Sequence, residues 1–135
     1  MEQIKFLIDT PVFIDFSRGN KCVVNWFKGF MDEPEKLVTS SLVVTEFFCG
    51  IPSEKIDKWK PFFEPFKILT PGYDEALKAA EIYRDYREKG ITLGIIDILN
   101  GVLAKENGYI VATSNSEHFP YVETYDPRSH SLKRA

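Results

Sequence analysis

The 135-residue sequence predicts an α/β fold in which a mainly parallel, five-stranded sheet carries helices on both faces. Three observations lead there. Short apolar runs rich in β-branched and aromatic residues alternate with longer stretches of helical periodicity. The first run, residues 4–8 (IKFLI), is almost continuously apolar, as in a strand covered on both sides. Glycine, proline and hydroxyl residues fall at the joints between runs, where caps and turns need them.

Residues 4–8 form the first strand, stopped by Asp9-Thr10-Pro11, in which Thr10 suits a helix N-cap and Pro11 the first helical turn. The helix begun there ends at Arg18-Gly19-Asn20. Val23, Val24, Trp26, Phe27, Phe30 and Met31 recur at helical spacing and predict a second, amphipathic helix. Residues 37–40 (LVTS) read as the second strand, with Ser40 or Ser41 capping a helix that carries Glu46 and ends near Gly50-Ile51-Pro52. Residues 53–63 are helical and 66–69 a third strand. A helix over 74–89 closes at Gly90 and another over 95–107 at Gly108, both suited to the left-handed turn after a helix. Residues 109–113 (YIVAT) are the strongest strand after the first, and 121–125 a weaker fifth. The expected single domain spans residues 1–127, and the polar tail over 128–135 is expected to fray.

Hydrophobic residues make up 44% of the chain and aromatic residues 14%, which predicts a packed globule. The net charge of −3 gives no global attraction to nucleic acid, so a polyanion would need a local basic patch or a bound cation. Cys22 and Cys49 lack metal-like spacing and fit a reduced, intracellular protein. With no secretory leader and no apolar run long enough for a bilayer, a soluble cytoplasmic protein is expected.

In a parallel α/β sheet, ligands sit at the carboxyl ends of the strands. Asp9 and Asn115 follow strand ends, while Glu46 and Asp97 lie in helices that can line the same rim. Leu42 and Val43 precede Glu46 by one turn, and no Lys or Arg stands three or four positions from it. Asp97 shares a helix face with Asn100, Gly101 and Ala104 in an otherwise aliphatic segment, which predicts a buried helix approaching another backbone closely. Carboxylates in apolar surroundings without a nearby cation point to a metal. A plainer reading stands beside each: Asp9 as a helix cap, Glu46 as a surface acid, Asp97 in a hydrogen bond with Asn100. His118 reads as a structural or rim residue, and His130 lies in the tail. No activated nucleophile, phosphate-binding glycine loop or zinc spacing is present.

Taken in order, Phe6-Leu7-Ile8-Asp9-Thr10, Thr45-Glu46 with Gly50 behind it, Asp97 at the head of an apolar helix, and Val111-Ala112-Thr113-Ser114-Asn115 with His118-Phe119 resemble PIN-domain ribonucleases. The chain length and the Thr-x-Asn-x-x-His-Phe ending resemble the VapC toxins of prokaryotic toxin–antitoxin pairs. The resemblance implies a three-layer α/β/α sandwich. It implies that Asp9, Glu46 and Asp97, with Asn115 at a position that is Asp in many PIN domains, hold Mg²⁺ or Mn²⁺ and hydrolyse RNA, with Thr113 shaping the site. It also implies a homodimer and a small inhibitory antitoxin.

Two departures stand out: Pro11 replaces a polar residue of the family, and Asn100 an aliphatic one. Pro11 keeps open a PIN-like module that binds RNA or a protein without cutting. The same residue counts against a phosphoaspartate phosphatase, which needs a second acid there, and the paired acids and late Lys of a receiver domain are lacking. Lys58, Lys60, Arg84 and Arg87 are candidates for holding the RNA backbone. Trp26, Phe27 and Phe30 read either as core or as a partner-binding surface.

Overall fold

The apolar run does form a central strand, β1 (Phe6–Ile8), with every residue buried. Phe6 and Ile8 pack into one apolar layer and Leu7 into the other, as the two-residue period of a strand requires. This computed structural model describes residues 4–135; Met1, Glu2 and Gln3, which belong to the expected domain and its leaderless start, lie outside the described residues.

After β1 come α1 (Thr10–Ser17), α2 (Lys21–Lys28), β2 (Leu37–Ser40), α3 (Ser41–Gly50), α4 (Ile56–Phe63), β3 (Lys67–Leu69), α5 (Tyr73–Glu88), α6 (Ile95–Asn107), β4 (Ile110–Ala112), β5 (Thr124–Asp126) and β6 (Ser131–Lys133), joined in places by short 3-10 turns. Local chemistry explains the boundaries. Asn20 and Ser40 accept hydrogen bonds from the amides of Val23 (3.2 Å) and Val43 (3.1 Å), capping α2 and α3. Gly108 closes α6 at φ +72°, where a side chain would be strained.

The sheet order is β3-β2-β1-β4-β5-β6, with β1 flanked in parallel by β2 and β4. The chain first builds outward from β1 through β2 to β3, then crosses over to add β4 and β5 on the other side. That reversal opens a crevice at the carboxyl ends of β1 and β4. One face of the sheet carries Val12, Phe13, Val23, Val43, Phe47 and Phe63 from α1–α4. The opposite face carries Leu103 and Ala104 of α6, with Ala79, Ile98 and Val102 joining α5 to it. Helices thus flank a mostly parallel sheet on both sides.

Three expectations need correction. The sheet has six strands, because β6 pairs antiparallel with β5 within the tail expected to fray. Its residues are exposed, and the lone apolar Leu132 makes no pattern; the hairpin is held by ladder bonds, by the Arg128 amide donating to Asp126 Oδ1 (2.9 Å) and by His130 at φ 54°. The fifth strand starts at Thr124, because Tyr121 turns toward α6 and donates to the carbonyls of Asp97 (3.3 Å) and Ile98 (3.2 Å). The small residue on α6 therefore admits a ring rather than a backbone: a Cβ at Gly101 would lie 2.2 Å from the Tyr121 hydroxyl. No helix among the described residues is long and apolar enough to cross a membrane.

Candidate active site

Asp9 leaves β1 at the crevice, 3% exposed. It occupies the N-cap position of α1, yet its side chain makes no capping bond, so capping does not explain it. Nor does Thr10 cap: it is already the first helical residue, and its hydroxyl donates to Glu46 Oε1 at 2.7 Å. The carboxylate of Asp9 instead takes a 2.9 Å bond from the Thr113 hydroxyl, which stands one residue past β4. The Thr113 oxygen in turn accepts from the Asn115 amide at 3.0 Å, which commits its proton to Asp9. Parallel pairing of Ile8 with Ala112 fixes the register that brings these groups together.

Burial pushes the Asp9 carboxyl up from 3.8 to about 6, with the charges of Asp97 and Glu46 adding to it, while the bonds from Thr113 and the Thr10 backbone hold it down. Asp97 is also raised, first by burial and then by Glu46, against the opposing pull of His118. The two acids and Glu46 face one another across a pocket of about 440 Å³ that Thr10, Pro11, Ile14, Asp15, Arg18, Asn115 and His118 also line. All four predicted site residues, Asp9, Glu46, Asp97 and Asn115, are therefore on its wall.

Their burial differs from expectation. Glu46 is exposed, and α6 becomes buried only from Ile98 onward, leaving Ile95 and Ile96 in solvent and Asp97 at the rim. Asn100 does not reach the pocket: it accepts from the Ser40 hydroxyl beneath β2, and its Nδ2 has no partner among the described residues. No Asp97–Asn100 bond explains Asp97, whose Oδ2 lies 3.0 Å from His118 Nδ1. A side chain at Gly94 would press on that carboxylate, since a Cβ there would come within 3.3 Å of Asp97 Oδ2.

Sequence reasoning undervalued His118, which follows Asn115 by three residues, the spacing that eclipses side chains on a 3-10 turn. It also passed over Ile14, Asp15 and Arg18. They follow Pro11 at i+3, i+4 and i+7, the helical spacing that would have found them. The charge of Asp15 is answered by Arg128 Nε at 3.8 Å, whereas Asp9 has no cationic neighbour of this kind among the described residues.

No three His, Cys, Asp or Glu side chains among the described residues stand close enough to grip one ion unaided. The acids line a cleft rather than meeting at a point. The donor set still suits a hard cation: three carboxylates and an amide oxygen, with repulsion that raises the buried member.

The family described as PIN domain matches residues 6–125. Ribonuclease VapC1 of Rickettsia felis is 28% identical over 125 residues, covering 87% of this chain and 90% of that protein. Ribonuclease VapC19 of Mycobacterium tuberculosis is 24% identical over 121 residues, covering 90% of this chain and 97% of its own length. Among solved structures, FitAcB from Neisseria gonorrhoeae superposes with a TM-score of 0.77 at 23% identity, over 90% of this chain and 97% of that one. VapBC2 from Rickettsia felis, bound to a DNA fragment from its promoter, gives 0.75 at 16% identity over 91% and 100%.

Proposed function

Because the chain belongs to the PIN-domain family, we propose that it is a metal-dependent endoribonuclease, the toxin of a toxin–antitoxin pair. The observation that carries this reading is the buried Asp9, without a cationic partner among the described residues, held by Thr113 and facing Glu46, Asp97 and Asn115 across one pocket. The relatives named ribonuclease VapC support the reaction, and the neighbours solved as toxin–antitoxin complexes support the partner.

Asp9, Glu46, Asp97 and Asn115 would hold Mg²⁺ or Mn²⁺. When bound there, the ion supplies positive charge to the phosphate oxygens and a more acidic water. The chain's own work is positional. Thr113 fixes Asp9, Thr10 fixes one oxygen of Glu46, and His118 orients Asp97, so the oxygens do not have to be ordered when RNA arrives. Asn115 contributes a neutral oxygen, keeping the donor set at three negative charges rather than four.

The apolar groove of about 380 Å³ lined by Phe16, Phe27, Phe30, Met31, Phe62 and Phe66 suits an antitoxin segment. Trp26, by contrast, is core, packed edge-to-face against Phe6 and Phe30. The face bearing exposed Tyr73, Leu77 and Ile95 beside Ala76 and Ala80 suits a second copy, and the complex is cytoplasmic. RNA cleavage in Mn²⁺, lost in EDTA and lost in Asp97→Asn, tests the enzyme; Mn²⁺ binding by calorimetry with no cleavage of any RNA would leave only a binding module.

A further inference from the structure

A second concavity opens beside the acidic pocket, and α1 is the wall between them. It holds about 370 Å³ and is lined by Ser17, Arg18, Ile51, Lys55, Lys58 and Trp59 among others. Ile14 and Arg18 line both hollows. Their chemistry is opposite: the first gathers acids, and no carboxylate of the described residues lines the second.

The cations of the cleft are free. Arg18, Lys55 and Lys58 make no ion pair among the described residues, whereas Lys36, Lys60, Lys78 and Arg128 each sit against an acid. Lys58 Nζ lies 5.5 Å from the centre of the Trp59 ring. That ring is half-buried, wedged against Phe16, Phe47 and Phe62, so it is a fixed aromatic surface rather than a mobile one. In a chain of net charge −3, a polyanion needs such a local site to approach an acidic pocket. Cations that track a backbone beside an aromatic ring that accepts a base are the elements of a single-strand site. A duplex would present no free base to Trp59.

We propose that this cleft is the subsite for the single-stranded RNA adjoining the scissile phosphate, with Arg18, Lys55 and Lys58 on backbone phosphates and a base stacked on Trp59. The assignment rests on the ribonuclease reading above. Arg18, on the shared wall, takes the phosphate nearest the acids.

The test is fluorescence anisotropy with a labelled single-stranded RNA of roughly 12 nucleotides, in EDTA, across a salt series. The combined Arg18→Gln, Lys55→Gln, Lys58→Gln variant should bind about tenfold or more weakly, its salt slope falling by about 2, from about 0.7 per lost phosphate contact. A charge-matched control, Lys89→Gln, Lys105→Gln, Lys133→Gln, should change neither. The chain has two tryptophans and Trp26 is only 9% exposed, so RNA should quench wild-type emission but not that of Trp59→Phe. A cleft variant with the wild-type slope, a control that loses as much, or RNA that leaves Trp59 emission unchanged would each overturn the proposal. Metal-dependent cleavage with an unchanged KM in the cleft variant would remove the subsite and leave the ribonuclease reading standing. RNA binding through the cleft with no cleavage in Mn²⁺ would do the reverse.

Discussion

Asp9 and Glu46 face one pocket with the same formal charge, yet one is buried at a strand end and the other sits on an exposed turn of α3. Asp9 is locked by a hydroxyl that is itself locked, and burial raises its pKa to about 6. Glu46 has water on one side and a single hydroxyl, Thr10, on the other. The difference separates two jobs that the proposed metal site would need done. Asp9 fixes a position at an energetic cost, while exposed Glu46 adds charge from the solvent side.

The largest expected effect is one the two walls share. Asp9→Asn, Glu46→Gln and Asp97→Asn should each lower metal-dependent RNA cleavage on the order of a thousandfold, measured on protein purified free of wild type. A Glu46→Gln enzyme of wild-type activity would confine the site to Asp9, Asp97 and Asn115.

Stability should then split the pair. Without metal, Asp9→Asn should stabilise the protein at neutral pH by about 2 kcal/mol, somewhat less than the full ~3 for two pKa units because the new amide hydrogens must find acceptors. Glu46→Gln should stay within about 0.5 kcal/mol, as an exposed substitution does. The pH dependence has a definite sign. Between pH 3.8 and about 6 the unfolded chain has released the Asp9 proton while the folded chain still holds it, so on this account wild-type stability falls as pH rises. Urea titrations in EDTA should show the gap between wild type and Asp9→Asn opening across that window and closing below it.

Smaller effects sharpen the contrast. Thr113→Val removes the donor to Asp9 and the acceptor for the Asn115 amide, and should cost about 1–2 kcal/mol while raising the Asp9 pKa further; NMR titration of the carboxyl reads the second part. Asn115→Asp should tighten Mn²⁺ by about 1 kcal/mol and destabilise the metal-free form, seen as a larger Mn²⁺ shift in thermal melts than wild type gives.

Sequence patterns carried the helices, the buried first strand and the placement of Asp9 and Asn115 at strand ends, because these rest on local periodicity and caps. They carried Asp97 for a partly mistaken reason: α6 is buried only beyond its first turn, and Gly101 makes room for Tyr121 rather than for a backbone. Thr10 was misplaced because a hydroxyl at a helix start can serve a cap or a neighbouring helix, and only the position of α3 decides. The β6 strand left no trace, since an exposed edge needs no apolar alternation. His118 and Arg18 were only partly legible: spacing marks each of them, but which loop ends meet around them is a property of topology and not of any one segment.

The bond between Asp9 and Thr113 closes a loop of 104 positions. Pairing β1 with β4 is among the costliest closures in the chain, and it comes after β2 and β3 can already have found their places. A chain interrupted before Ile110 would hold Asp9 and Glu46 but neither the strand nor the hydroxyl that completes the pocket. On the ribonuclease reading proposed above, such fragments lack part of the pocket, so cleavage would appear only with the finished chain.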